Sequence, residues 1–362
     1  MRNRRTDMAN QKLPRRSFLQ CSAGVATVSL TNVAAEQPPL SRLGLVAYSC
    51  RQRRDQMKKL DPSFDLFKPN NLLDHCLKVR AGGMQLALGS LDTQTSTQLR
   101  SKVEKAGMYI EAIVYAPFER KDIHTFTAQL KTAVQVGAVA VRTTIIPGRR
   151  YENYDSLAEF RNFEKRGRRA LENAAPIAEK HRIPLAVENH KDHRNDERVA
   201  LFEQISSEFV GACVDTGNSV ALLEDPVETV RALAPWAHSV HLKDQSLQPY
   251  KDGFLLADIP LGQGSLDLKQ MVRVLRREKP NVNFSLELIT RDPLKVPVFT
   301  EKYWKTFPKL SARALARHIR FVRDQTKHNL QYVSKLSPDQ RVAREDTNVR
   351  ESLAYAQQHL GL

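Results

Sequence analysis

The sequence contains no apolar run approaching the roughly twenty residues that a bilayer-spanning helix needs, which excludes a polytopic membrane protein. Its four cysteines, Cys21, Cys50, Cys76 and Cys213, form no C-x-x-C pair, so neither a thiolate zinc knot nor a disulfide mini-scaffold is expected. Glycine is sparse, fifteen in 362 residues, and no G-x-G-x-x-G follows the first β-like run, Leu43-Gly44-Leu45-Val46-Ala47. That run leads into a basic stretch without glycine, read as a loop, so a dinucleotide fold would lack its phosphate turn. There is no low-complexity tract. What remains is a chain 41% hydrophobic and 27% charged, enough apolar material to bury a full core.

The formal charge of +16 separates into parts. Arg15-Arg16-Ser17-Phe18-Leu19 places a twin arginine before an uncharged stretch from Cys21 to Val33, and Val33-Ala34-Ala35 offers small residues for cleavage. This is the layout of a Tat-type signal peptide over residues 1–35, with a mature chain starting at Glu36 and exported to the periplasm. Removing it leaves a charge of +11 and three cysteines, an odd number, so at least one thiol is expected to be free. Residues 291–362 hold fourteen Lys and Arg against seven Asp and Glu, so the middle of the chain is only mildly basic. The skew is read as a solvated surface, with no nucleic-acid partner and no membrane span in the mature chain.

Apolar, β-branched runs alternate with helix-period segments eight times. The expected strands are 43–49, 84–88, 109–115, 138–146, 183–190, 210–215, 239–243 and 284–289. The expected helices are 72–80, 95–106, 123–136, 156–181, 196–206, 226–237, 266–278 and 311–324, with Asp225, Ser265 and Ser311 at helix starts. Such a series permits an open doubly wound sheet or a closed barrel, and the missing phosphate turn favours the α/β (β/α)8 TIM barrel. We assign it to residues 36–324. Residues 325–362 are read as a C-terminal helical extension that packs on the barrel or on a second copy of the chain, a homo-oligomer.

Four late strands end in residues that an apolar barrel strand tolerates only when they are paired or ligated. They read Leu185-Ala186-Val187-Glu188, Ala212-Cys213-Val214-Asp215, Ser239-Val240-His241 and Phe284-Ser285-Leu286-Glu287. The spacings of 27, 26 and 46 residues match one strand–helix unit each, the last lengthened by an extra loop. Four neighbouring strands would therefore aim three carboxylates and one imidazole at a single point on the barrel mouth. Oxygen-rich ligation with one imidazole suits one divalent ion, Mn²⁺, Mg²⁺ or Co²⁺, with Zn²⁺ as a further candidate.

The strand ends V-E-N-H, V-D-T-G-N and H-L-K-D, followed by P-L-G-Q-G and L-E-L, resemble the xylose isomerase-like TIM barrels, the sugar phosphate isomerase/epimerase family. The resemblance runs from about Leu43 to Asp324. It implies a single divalent metal on Glu188, Asp215, His241 and Glu287, with Glu188 and Glu287 also acting as the acid–base pair on opposite faces of a sugar carbon. A metal-stabilised enediolate is the expected intermediate of that chemistry. His190, Lys243, Arg142 and the backbone at Gly264 are the candidate substrate contacts. Two departures stand out: Gln263 lies where the family usually has Glu, and Asn218 where some epimerases have His. The function expected is a metal-dependent sugar isomerase or epimerase on a small carbohydrate. The alternatives are a metal-dependent lyase or dehydratase on a keto-sugar or 3-keto-glycoside, an endonuclease IV-like nuclease, and a non-catalytic sugar-binding barrel.

Overall fold

The computed structural model describes residues 39–146, 148–326 and 330–362; the signal-peptide reading, with Arg15, Arg16 and cleavage after Ala35, lies outside them. Eleven strands occur among the described residues: β1 Leu43–Val46, β2 Gly83–Ala87, β3 Tyr109–Ile113, β4 Ala140–Thr143, β5 Leu185–Glu188, β6 Val210–Asp215, β7 Ala237–Leu242, β8 Asp244–Tyr250, β9 Gly253–Ile259, β10 Phe284–Leu286 and β11 Leu294–Val296. Strands β1 to β7 and β10 pair in parallel and close into an eight-stranded barrel, with β10 lying between β7 and β1. Helices alternate with them, so each strand is covered on both faces. That explains why β6, Val-Gly-Ala-Cys-Val-Asp, is buried along its whole length.

Helix starts follow the local chemistry. Asp225 accepts from the amides of Val227 and Glu228 at 2.9 and 3.0 Å, ahead of Pro226. Ser311 caps through the Ala314 amide at 3.2 Å. The expected cap at Ser265 is not used; Asp267 accepts from Gln270 N at 2.9 Å and the helix begins at Leu268. At the strand N-terminal end, Tyr109 closes the barrel. Its hydroxyl donates to Phe284 O at 2.6 Å and accepts from Gly44 N at 3.1 Å. A Cβ on Gly83 would lie 2.3 Å from that ring, so glycine is required beside it.

Two expectations need correction. The basic stretch after β1 is a helix, Arg51–Leu60, not a loop. Its own sequence offers few apolar residues. It is held by the Glu345 carboxylate, which accepts from Gln52 N at 2.7 Å and Arg53 N at 2.9 Å and so satisfies amides at the helix start. Glu345 belongs to the C-terminal helix Pro338–Tyr355, which packs on the barrel as one of the two expected alternatives. The extra loop between His241 and Glu287 is a hairpin, β8 and β9, joined antiparallel to β11 in a three-stranded sheet. A second apolar core, including Leu247, Phe254, Tyr303 and Phe307, lies under this sheet, apart from the main barrel core. Cys50, Cys76 and Cys213 are free and buried.

Candidate functional site

Glu188 and Asp215 are the last residues of β5 and β6, His241 is the penultimate residue of β7, and Glu287 follows β10 directly. Asp215 is in register with His241, and Ser285 with His241, so barrel pairing itself brings the four strand ends together. One ligand atom from each residue lies within 4.8 Å of the others, and all four residues are buried.

The imidazole is oriented from inside the barrel. His241 Nε2 lies 2.8 Å from Gln85 Oε1 on β2. Gln85 Nε2 in turn donates to Glu111 Oε2 on β3 at 2.7 Å, an oxygen that also accepts from Ser239 Oγ at 2.7 Å. With Gln85 presenting its oxygen, the His241 proton sits on Nε2 and the Nδ1 lone pair is left free. Nδ1 has no hydrogen-bond partner and faces Glu188 Oε2 at 3.7 Å and Glu287 Oε2 at 3.5 Å. Burial pushes the Glu111 carboxyl up to about 7, against its hydrogen bonds from Gln85 and Ser239. Gln85 and Glu111 were not singled out from the sequence. The available signal was a polar residue inside an otherwise apolar barrel strand, Gly-Met-Gln-Leu-Ala and Tyr-Ile-Glu-Ala-Ile.

The carboxylates are fixed just as fully. Asp215 Oδ1 accepts from the amides of Gly217 and Asn218 at 2.9 and 2.8 Å. Asn189 brackets the Asp215 backbone, accepting from its amide at 2.7 Å and donating to its carbonyl at 3.0 Å. Asn218 Nδ2 donates to Glu188 Oε1 at 3.1 Å, leaving Oε2 towards the centre.

Among the residues proposed as substrate contacts, Lys243 and Arg142 touch the ligands. Lys243 Nζ lies 2.8 Å from Asp215 Oδ2 and 2.7 Å from Glu287 Oε2. Burial opposes its charge, yet those two carboxylates hold the ammonium protonated far above the ordinary lysine range. Burial likewise opposes the charge on Glu287, but the Lys243 ammonium holds its carboxyl well below the usual range. Arg142 donates to Glu188 Oε2. His190 and Gly264 make no hydrogen bond to the four ligands among the described residues. The His190 ring is 3.0 Å from the Gly148 carbonyl, and burial lowers it to about 3, so it is neutral near pH 7. Gly264 N donates to Asp244 Oδ2 at 2.9 Å, and a Cβ there would lie 1.9 Å from that carboxylate. Lys191, also missed, is buried and donates to Asn218 Oδ1.

Residues 80–325 match the family described as xylose isomerase-like TIM barrel. The chain belongs to that family. Among curated relatives, 3-oxo-isoapionate decarboxylase of Pectobacterium atrosepticum is 30% identical over 114 residues, 31% of this chain and 42% of that protein. The match thus spans less than half of that relative. Among solved structures, D-psicose 3-epimerase in the presence of D-fructose superposes with a TM-score of 0.54 at 12% identity, covering 83% of this chain and 95% of that one. L-ribulose 3-epimerase gives 0.53 at 12% identity, covering 89% and 97%. At these identities the structures share the xylose isomerase-like fold, and the chemistry has to be argued from the site.

The donor set fits a divalent cation. Three carboxylates and one unprotonated imidazole nitrogen converge, the nitrogen is otherwise without a partner, and Glu188, Asp215 and His241 are each held from behind.

Proposed function

We propose that the protein is a metal-dependent sugar isomerase or epimerase that removes a proton from carbon beside a carbonyl. The observation that carries this reading is the placement of two glutamates beside His241 Nδ1, at 3.7 and 3.5 Å, within one cluster of four ligand atoms. A divalent ion on Glu188, Asp215, His241 Nδ1 and Glu287 would supply Lewis acidity against the negative charge that develops as the proton leaves.

Glu188 and Glu287 then divide the proton work, one taking the proton and the other delivering one to the opposite face. Glu188 is aimed by Asn218, which holds Oε1. Lys243 and Arg142 place fixed positive charge where the developing oxyanion needs it, inside a site too buried for water to screen them. His190, neutral and half-buried, is suited to a sugar hydroxyl, and Gly264 to shaping the loop that folds over Asp244.

A lyase outcome is the second reading. The same proton abstraction can end in loss of a leaving group, whose negative charge the buried Lys243 ammonium is placed to stabilise. The stretch shared with a decarboxylase favours keeping it in view. Incubating manganese-loaded protein with ketohexoses, ketopentoses and 3-keto-glycosides in deuterium oxide separates the outcomes. An epimerase returns an isomer carrying deuterium on carbon. A lyase yields an unsaturated product or a released aglycone. Absence of deuterium and of product across all three classes refutes both readings.

A further inference from the structure

The antiparallel sheet leaves a cavity of about 430 Å³ whose walls include Asp258, Arg291, Ser246 and Thr290 on the barrel side and Arg344 and Asn348 on the C-terminal helix. Ser246 is five residues beyond His241 and Thr290 three beyond Glu287, so the cavity adjoins the ligand cluster along the chain. It also adjoins it electrostatically. The Asp258 side chain is 2% exposed, and Arg291 first, then Lys243 and Lys191, lie close enough to favour its ionised form over the cost of burial.

The charges in this cavity do not cancel. Arg291 Nη2 donates to Asp258 Oδ2 at 3.1 Å. Arg344 is half-buried and makes no ion pair among the described residues. Two guanidinium groups therefore face one carboxylate that is already shared with Lys243. Two neutral polar side chains also line it, Ser246 and Asn348.

We propose that this cavity binds the carboxylate end of the substrate, so that the protein acts on a sugar acid and not on a neutral sugar. The proposal rests on the sugar-directed reading of the adjoining site. Arg344 supplies a planar fork for one carboxylate, and the single surplus charge matches a monoanion better than a phosphate ester. Ser246 and Asn348 take the neighbouring hydroxyls, a donor–acceptor and an acceptor respectively.

Isothermal titration of manganese-loaded protein with D-fructuronate, D-fructose and D-fructose 6-phosphate tests this directly. The acid should bind about tenfold or more tightly than the neutral sugar, as expected for a charge-assisted pair. Arg344→Gln should erase that preference by weakening the acid, Arg344→Lys should weaken it less, and thermal melts of both variants should match the wild type. Equal binding of fructose and fructuronate, tightest binding of the phosphate, no binding of the acid, or an unchanged preference in Arg344→Gln would each overturn the proposal. Deuterium exchange keeps the two readings apart. Exchange into fructose without an acid preference leaves the sugar chemistry standing and removes the subsite. Acid binding lost in Arg344→Gln, with no exchange into either compound, keeps the subsite and removes the chemistry.

Discussion

His241 Nε2 is hydrogen-bonded to Gln85 Oε1 at 2.8 Å, and this contact between opposite sides of the barrel decides which imidazole nitrogen is available at the mouth. Gln85 is in turn held by Glu111. A ligand oriented in this way is expected to lose about 10–100-fold in metal affinity when its support is removed. Gln85→Leu should therefore weaken metal binding by that factor while leaving the circular dichroism spectrum of the barrel unchanged. Unaltered affinity by metal titration would show that the hydrogen bond does not set the tautomer.

Lys243 predicts opposite effects on binding and turnover. Its ammonium lies against Asp215 Oδ2 and Glu287 Oε2, two of the oxygens a divalent ion would draw on. Lys243→Met should thus raise metal affinity, because a competing cation is gone. Turnover should fall by about 10²–10³-fold, the usual cost of losing one group that stabilises developing negative charge. A variant that loses metal and activity together would indicate a purely structural lysine.

Away from the site, Glu345 makes stability depend on pH. Burial, opposed by hydrogen bonds from Arg53 N and Gln52 N, pushes its carboxyl from an ordinary value near 4.5 up to about 8. A group with a raised folded-state pKa binds its proton more tightly in the folded protein. Its contribution is complete below about pH 4.5 and is lost as pH rises through about 8. Glu345→Gln keeps an acceptor oxygen for one of the two amides, a cost that does not vary with pH, and removes the titration. The stability of wild type relative to Glu345→Gln should therefore fall steadily between pH 5 and 8 in urea titrations. A flat difference would place the Glu345 carboxyl near its ordinary value.

The parts of the molecule that were legible in sequence are those where one local rule dominates. A carboxylate at the end of an apolar strand is costly enough that Glu188, Asp215 and Glu287 stood out, and His241 fell in phase with them. The eight barrel strands were found, with ends too generous by a few residues in several cases, because apolar residues continue past the last ladder hydrogen bond. Other features depend on distant partners. The helix Arg51–Leu60 owes its start to Glu345, nearly three hundred residues away, and its own composition says little. Lys191 and Asn218 meet only because two adjacent strand ends bring their loops together. The β8–β9 hairpin was readable in principle, from Asp252-Gly253 flanked by apolar residues, but it was absorbed into a loop because the strand–helix alternation masked it.

The twin arginine carries its own prediction. With Arg15 and Arg16 ahead of an uncharged stretch that ends at Ala35, the exported protein should begin near Glu36. Replacing both arginines with lysine should leave the chain unprocessed inside the cell. N-terminal sequencing of exported protein that still carries residues 1–35 would contradict this.

Glu188, Asp215, His241 and Glu287 are expected to form one divalent-metal centre at the barrel mouth. Elemental analysis of purified wild type, Asp215→Ala and His241→Ala after equilibration with manganese, followed by dialysis, checks this. Wild type should hold about one ion per chain, removable by chelator, and both variants should lose it without loss of the folded barrel. Stoichiometric, chelator-resistant metal in both variants, or none in the wild type, would contradict it.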